Sequence, residues 1–302
     1  MEIHQLRMLR ELGELGSVTA VAQALFVTPS AVSQQLAALQ KSAGAVLTRK
    51  QGRRLVLTEA GRVLADAGAD VLSAMADARA AIGAYQDNRT GHVTVSGFHS
   101  AGQALFAPLV RLLQSPGSPK VQLSDEDVAQ QDFPALAARY DLVLAHRMDH
   151  SKPWPAGRVS VMELAREPLD VALAVAHPLA ALDALTPDDV AGHDWVTSRG
   201  GYSPADVLAA VGAVSSKPPT VVHRINDYST VAALVATGSV LGLLPRYTAS
   251  PALSPGVTLR PLRGISTHRR IDILARPESL KRRSVLLVID ALHEAMAEMV
   301  SR

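Results

Sequence analysis

Four basic side chains, Arg49, Lys50, Arg53 and Arg54, fall within six residues with no acid among them. The whole 302-residue chain carries 30 Lys and Arg against 28 Asp and Glu, a net charge of only +2, so the local concentration is the informative quantity. Guanidinium and ammonium groups packed this closely neutralise phosphates or enter the negative potential of a minor groove. A solvated surface is the other reading of a charge run. The residues just ahead favour nucleic acid: Thr28, Ser30, Ser33, Gln34, Ala37 and Lys41 recur at spacings that place short polar and small groups on one side of a helix. Such a face is slim enough to reach base edges.

The elements that must position these residues are marked by periodicity and caps. Ile3, Leu6, Leu9 and Leu12 recur three apart up to Gly16 and predict a first helix. Ser17 caps a second, with Val18, Val21, Ala22 and Leu25 on one stripe. Thr28 then stands at an N-cap with Pro29 at the first helical position, Val27 placed to staple onto Val32, and Val32, Leu36 and Leu39 facing inward until Gly44 closes the helix. Two helices joined by a tight turn, the second polar outside, form a helix-turn-helix. Leu47 to Lys50 and Arg54 to Leu57 read as a hairpin around Gln51-Gly52-Arg53, a basic wing.

After Thr58 no proline occurs until Pro108. Leu64, Gly68, Val71, Met75, Ala78, Ile82 and Tyr85 alternate in steps of four and three, a heptad seam suited to a second copy of the chain or to packing on its own head. One helix-turn-helix reads few base pairs, and a two-fold pair reads half-sites about 34 Å apart. Asp87-Asn88-Arg89-Thr90-Gly91 breaks the helix before the next module.

Beyond Gly91 strands alternate with helices. Val93 and Val95 begin a strand, Gly97 to Gly102 reads as a loop, and Ala104 to Leu113 is helical. Further strands are expected at Val121–Leu123, Asp141–Ala145, Leu169–Val175, Trp195–Thr197, Val221–Ile225, Leu241–Leu244 and Ile271–Ala275. Helices are expected at Pro187–Ala191, Pro204–Val211, Thr230–Thr237 and Ser284–Met299. This alternation predicts parallel α/β sheets, two of them, with Leu169–Val175 and Ile271–Ala275 crossing between lobes.

Ligands in such sheets sit beyond the carboxyl ends of strands and between lobes. That picks out Phe98, His99, Ser100, Arg147, Ser198, Arg199, Gly200 and Asn226. Ser100 and Ser198 each precede an expected helix start, where free N–H groups favour a carboxylate, and Arg147 or Arg199 adds a bidentate contact. Loop caps and surface charges are the plain alternative for each.

The residues from Ser17-Val18-Thr19-Ala20 through Leu25, Thr28-Pro29-Ser30-Ala31-Val32-Ser33-Gln34-Gln35-Leu36, Leu39, Gly44, Leu47, Gly52-Arg53-Arg54 and Leu57-Thr58-Glu59-Ala60-Gly61 resemble the DNA-binding domain of LysR-type transcriptional regulators. The remaining chain matches that family in layout. The resemblance implies an α+β chain: a winged helix-turn-helix over 1–58, a linker and dimerisation helix over 59–89, and a two-lobed effector domain over 90–302 similar to periplasmic binding proteins. Lobe I would hold 92–165 and 268–302, and lobe II 166–267. It also implies double-stranded promoter or operator DNA, RNA polymerase, a small-molecule effector such as a carboxylate or amino acid, and a homodimer or homotetramer. The chain departs from the family pattern at Phe26, where a small or polar residue is usual, and at Thr48, where Phe is common. A left-handed Phe at the turn costs roughly 1 kcal/mol or more.

Other chemistry is disfavoured. The chain has no cysteine, which excludes disulfides and thiolate sites. His146 and His150 lack an acidic third ligand in sequence, and chance explains them better than a metal. No nucleophile motif, phosphate loop or dinucleotide fingerprint is present, so neither a catalytic residue nor a cofactor is expected. Met1-Glu2-Ile3-His4 is not a secretory leader, and a cytoplasmic regulator is the expectation. An effector-independent architectural or constitutive DNA binder is the leading alternative; an enzyme with a fused DNA-binding head is a third.

Overall fold

The computed structural model describes residues 1–52, 54–85, 90–155, 159–249 and 255–301. Arg53, singled out above, lies outside them. Three helices open the chain: α1 (Ile3–Leu15), α2 (Val18–Ala24) and α3 (Pro29–Ala43). Each boundary has a local cause. Gly16 and Gly44 adopt φ of 68° and 64° and end α1 and α3, a conformation that glycine alone reaches without strain. Ser17 Oγ accepts from Ala20 N at 3.0 Å and Thr28 Oγ1 from Ala31 N at 3.2 Å, capping α2 and α3. Leu9, Leu12, Val21, Val32, Leu36 and Leu39 form the buried core of the head. Val27 is exposed, so its sequence neighbours do not enclose it as a staple.

The wing pairs β1 (Thr48–Gln51) with β2 (Arg54–Leu57), antiparallel, Gln51 opposite Arg54. It is fastened to α4 (Glu59–Tyr85) at a tight joint. Thr58 Oγ1 donates to Val46 O at 2.7 Å and accepts from Gly61 N at 3.0 Å, and Thr58 N donates to Leu47 O at 3.0 Å. A Cβ on Gly61 would lie 2.0 Å from Leu47 O, so the helix approaches the wing backbone more closely than any side chain permits.

α4 corrects the expected seam. Leu64 packs against the head core, and a Cβ on Gly68 would meet Leu6 at 3.3 Å. This part of the stripe serves the chain's own first helix. The solvent-facing apolar stripe is offset by one position at its start: Val63, Ala67, Val71, Ala74, Ala78 and Ile82 are all exposed, with Val63 at 65% and Ile82 at 60%.

The C-terminal module contains β3 (His92–Gly97), α5 (His99–Leu112), β4 (Lys120–Asp125), α6 (Phe133–Leu136), β5 (Leu142–Met148), β6 (Ser160–Ala174), α7 (Pro187–Ala191), β7 (Asp194–Thr197), α8 (Ser203–Val214), β8 (Thr220–Arg224), α9 (Tyr228–Ala236), β9 (Gly242–Pro245), β10 (Val257–Arg260), β11 (His268–Ala275) and α10 (Arg283–Val300). Two lobes share the long strand β6. Its first half pairs with β11, whose other neighbour is β5, and β3 and β4 complete the order. Its second half pairs with β9 and β10. The smaller β7–β8 pair joins the second lobe through a bridge between Trp195 and Leu241.

The sheets are mixed, and this overturns the expectation of parallel sheets. β3 is parallel to β4 and β5, and β7 to β8, but β11 runs antiparallel to β5 and β6, as do β9 and β10 to β6. The reason is the double crossover: a chain that leaves one lobe and returns sends its two connecting strands in opposite directions. The expected loop at Gly97–Gly102 is also corrected. α5 begins at His99, with Phe98 at its N-cap.

Candidate functional site: a nucleic-acid face and an interlobe cleft

On the head, Thr28, Ser30, Ser33, Gln34, Ala37 and Lys41 are all exposed, as are Arg49, Lys50 and Arg54 on the wing. The inward face of α3 is held by Val32, Leu36 and Leu39, so core packing fixes which side faces out. Gln34, Ala37 and Lys41 have no polar side-chain partner among the described residues, whereas Ser33 Oγ returns its proton to Pro29 O at 3.0 Å. Ser33 therefore has its donor occupied, while the Gln34 amide does not. Phe26 occupies the turn ahead of α3 with φ 55°, the one positive-φ residue other than glycine among those described, and is 86% exposed.

In the C-terminal module, most of the expected ligand residues lie at the lobe junction but are engaged by other residues of the chain; of the eight, only Arg199 and Asn226 bond to each other. Ser100 is buried and lies in the first turn of α5, two residues later than expected of a residue preceding a helix. Its Oγ is 3.2 Å from Thr248 Oγ1 and accepts from Arg269 Nη2 at 3.3 Å. Arg269 and Glu167 form an ion pair at 2.8 Å, with side chains only 1% and 0% exposed. The Arg269 guanidinium also lies 5.0 Å from the Phe98 ring, and Phe98 belongs to the core of the first lobe.

At the rim, His99 joins the lobes. Its Nδ1 is 3.0 Å from Asp125 at the end of β4, and its Nε2 is 3.0 Å from Asp227, the N-cap of α9. The hydrogen bond to Asp125 is the chief cause that raises the His99 pKa above the ordinary imidazole value, and the charge of Asp227 adds to it, against some desolvation. Nearby, Asp127 accepts from Arg199 Nη2 at 3.4 Å and Asn226 Nδ2 at 3.2 Å, and its carbonyl accepts from Tyr202 at 3.2 Å. Asn226 Oδ1 also accepts from Arg199 N at 3.1 Å. Ser198 Oγ accepts from Ala205 N at 3.1 Å, and Gly200 is exposed between them.

Arg147 stands apart. It lies within β5, where side chains alternate, so it points to the face opposite His146 and pairs with Asp272 at 3.2 Å. His146 is buried against Phe98 and Phe133 and its Nδ1 is 3.1 Å from Ser203 Oγ. Burial, then the nearby Arg269 charge, holds its pKa well below the ordinary value, so it is neutral. No group of three or more metal-ligating side chains occurs among the described residues, and no described helix is long and apolar enough to cross a membrane. Asp127, Glu167, Thr248 and Arg269 were missed from sequence. Arg269 and Glu167 lie 102 positions apart, and only the crossover brings them together.

Comparison with known proteins agrees with this architecture. The family model for the bacterial regulatory helix-turn-helix protein of the lysR family matches residues 3–62, and the model for the LysR substrate binding domain matches residues 86–297. Among curated relatives, the transcriptional regulator GbpR of Rhizobium radiobacter is 28% identical over 63% of this chain and 63% of its own length. The probable regulator LrrA of Synechococcus elongatus is 25% identical over 99% and 98%. Among solved structures, a full-length OxyR variant from Pseudomonas aeruginosa gives a TM-score of 0.66 at 17% identity, covering 97% of this chain and 94% of that one. Full-length CbnR bound to its target DNA gives 0.52 at 19%, covering 97% and 100%.

Proposed function

The chain belongs to the LysR family of transcriptional regulators, with a helix-turn-helix head and an effector-binding domain, and we propose that it binds promoter DNA as a dimer through α3 and the wing. The single observation that carries this is the orientation of α3: three buried apolar residues on one side leave Ser30, Gln34, Ala37 and Lys41 outward, on a head whose wing also exposes Arg49, Lys50 and Arg54 and is joined to α3 by Gln40 Oε1 accepting from Leu47 N at 2.9 Å. Gln34 is suited to bidentate contact with adenine, and the wing cations to phosphates. Arg53 belongs to the same basic run in sequence. The exposed stripe Val63, Ala67, Val71, Ala74, Ala78 and Ile82 supports dimerisation through α4, because an apolar face this continuous is stable in water only when covered.

The effector acts between the lobes in this reading. His99, Ser198, Arg199, Gly200 and Asn226 line the junction, with Asp125, Asp127 and Asp227 opposite or beside them. An effector that favours one separation of the lobes over another shifts the relative position of two heads, and with it occupancy of half-sites and access of RNA polymerase. A constitutive DNA binder is favoured by one observation, the direct bonds that tie the lobes to each other at His99–Asp227, Arg199–Asp127, Asn226–Asp127 and Ser100–Thr248.

The test is binding of the full-length protein to its own upstream region across a salt series. Affinity that falls steeply and linearly in log–log form, with two protected half-sites, supports the reading. Affinity indifferent to salt, or protection of one half-site by a monomer, overturns it.

A further inference from the structure

At the junction of the two lobes the chain has built a complete carboxylate-binding seat. Five donors converge on one pair of oxygens. Tyr247 N and Thr248 N donate at 2.8 and 2.6 Å to one oxygen; Arg269 Nε and Nη2 donate at 3.0 and 2.8 Å to the other, where Thr248 Oγ1 stands at 3.1 Å. The oxygens belong to Glu167. Each wall of the seat comes from a different part of the fold: Arg269 from β11, Tyr247 and Thr248 from the turn after β9, and Ser100 from α5, its hydroxyl bonded to Arg269 Nη2. Backbone N–H pairs with a forked guanidinium are the recognition set for a free carboxylate.

We infer that Glu167 is an internal ligand: its carboxylate occupies the interlobe anion seat, closes the lobes without an effector, and excludes external carboxylates from that position. This rests on the interlobe reading of the sensor and narrows the class of effector. The expectation of a carboxylate or amino acid placed Ser100 and Ser198 just ahead of helix starts; instead Ser100 lies inside the first turn of α5, and both hydroxyl oxygens accept hydrogen bonds from within the protein. With these five donors directed at Glu167, none of them is left for an incoming carboxylate, and the Arg269 charge is balanced within a buried ion pair. An effector that enters beside it is therefore bound by the rim residues and brings no anionic group to the seat.

The experiment uses the full-length protein and acetate, which has the shape of the end of a glutamate side chain. Thermal midpoints are read in sodium acetate and in sodium chloride of equal ionic strength for the native chain, Glu167→Ala and Glu167→Gln. The native chain is expected to melt alike in both salts. Glu167→Ala loses roughly 10 °C, as breaking a buried ion pair implies, and regains at least half of it saturably in acetate. Glu167→Gln falls too, because the amide brings no charge to Arg269, and regains nothing, because it fills the cavity.

A saturable rise of the native chain in acetate overturns the inference, since the seat would then be open. So does Glu167→Gln melting with the native chain, since the charge would then be idle; this variant keeps the shape of the side chain and covers the case in which Glu167→Ala does not fold. Failure of acetate to restore a folded Glu167→Ala has the same consequence. The salt-dependent DNA affinity of the native chain is measured separately, so a fault in the DNA-binding reading shows there and leaves the acetate result standing.

Discussion

Arg276 Nη2 donates to Glu11 Oε2 at 2.6 Å and to Glu14 Oε2 at 2.8 Å, tying the first helix of the DNA-binding head to the residue that follows β11 in the sensor. A second link runs alongside: Arg10 Nη2 donates to Glu278 Oε1 at 2.7 Å. Arg276 is itself fixed by a bond from its Nε to Ala137 O at 2.9 Å. Glu11 is fully buried, and that burial pushes its pKa up while Arg276 pulls it down. The head is therefore keyed to the first lobe of the sensor by a charge pair that water does not screen.

Arg276→Ala is expected to release the head. Removing one partner of a buried pair costs about 3–5 kcal/mol if nothing relaxes, less here by what Arg10 returns to Glu11 from 3.5 Å. Undocking α1 avoids much of that by rehydrating Glu11, so local opening is the expected outcome, with little loss of sensor stability. Hydrogen exchange should speed up at buried α1 amides while the β5 and β11 core stays protected. Unchanged exchange in α1 would show that the ion pair does not hold the head.

Gly61→Ala is expected to be severely destabilising in the head. The added methyl would sit 2.0 Å from Leu47 O, so either the wing or α4 must move, and with it the Thr58 bonds to Val46 and Gly61. A loss of about 2–4 kcal/mol fits overpacking combined with a broken cap. Chemical denaturation followed at head-specific probes checks it; a loss below about 1 kcal/mol would mean that the joint is softer than its geometry. Phe26→Asn should act in the other direction, adding roughly 0.5–1 kcal/mol by relieving the left-handed Phe.

Much of the head was legible because its signals are local. Ser17, Thr28, Pro29, Gly16 and Gly44 mark helix ends within a few residues of where their effect is felt, and the wing needs only a turn. The long helix was legible as a helix but not in its facing. The heptad through Leu64 and Gly68 is apolar, yet whether it meets Leu6 of the same chain or another copy depends on the fold of α1. In the sensor, the first half of β6 escaped notice because Glu163, Arg166 and Glu167 interrupt the apolar pattern, and β10 because its four residues are too few to carry a period. Those charges are tolerated since Arg269 and Arg270 from β11 pair with Glu167 and Glu163, and Asp149 pairs with Arg166. The antiparallel crossover and the Glu167 seat followed from pairings about a hundred residues apart, which no local period carries.

The closed sensor should be favoured by acid. For both ring nitrogens of His99 to donate to Asp125 and Asp227, the imidazole must carry its proton, and its pKa is raised by those contacts. A raised pKa means that the contribution is fully present below the ordinary imidazole value and is lost as pH rises through the raised one. The His99 side chain is 39% exposed, so solvent weakens the effect. Between about pH 6 and about pH 9, the Tm advantage of the native chain over His99→Gln should shrink steadily. An advantage constant across that range would show that closure does not depend on the His99 proton.

Specificity and affinity should separate between α3 and the wing. Gln34 is exposed on the outer face of α3, where in the proposed docking a side-chain amide would read one base, while Arg54 on β2 would meet the backbone whatever the sequence. Gln34→Ala should relax discrimination at one position of each half-site by about 1–3 kcal/mol, with the salt slope kept. Arg54→Ala should weaken specific and random duplexes together and lower the slope by about one per head. The comparison is made by titrating both variants against a site library and a random duplex at several salt concentrations. If Arg54→Ala shifts base preference while Gln34→Ala lowers only general affinity, the head docks with its wing, not α3, in the major groove.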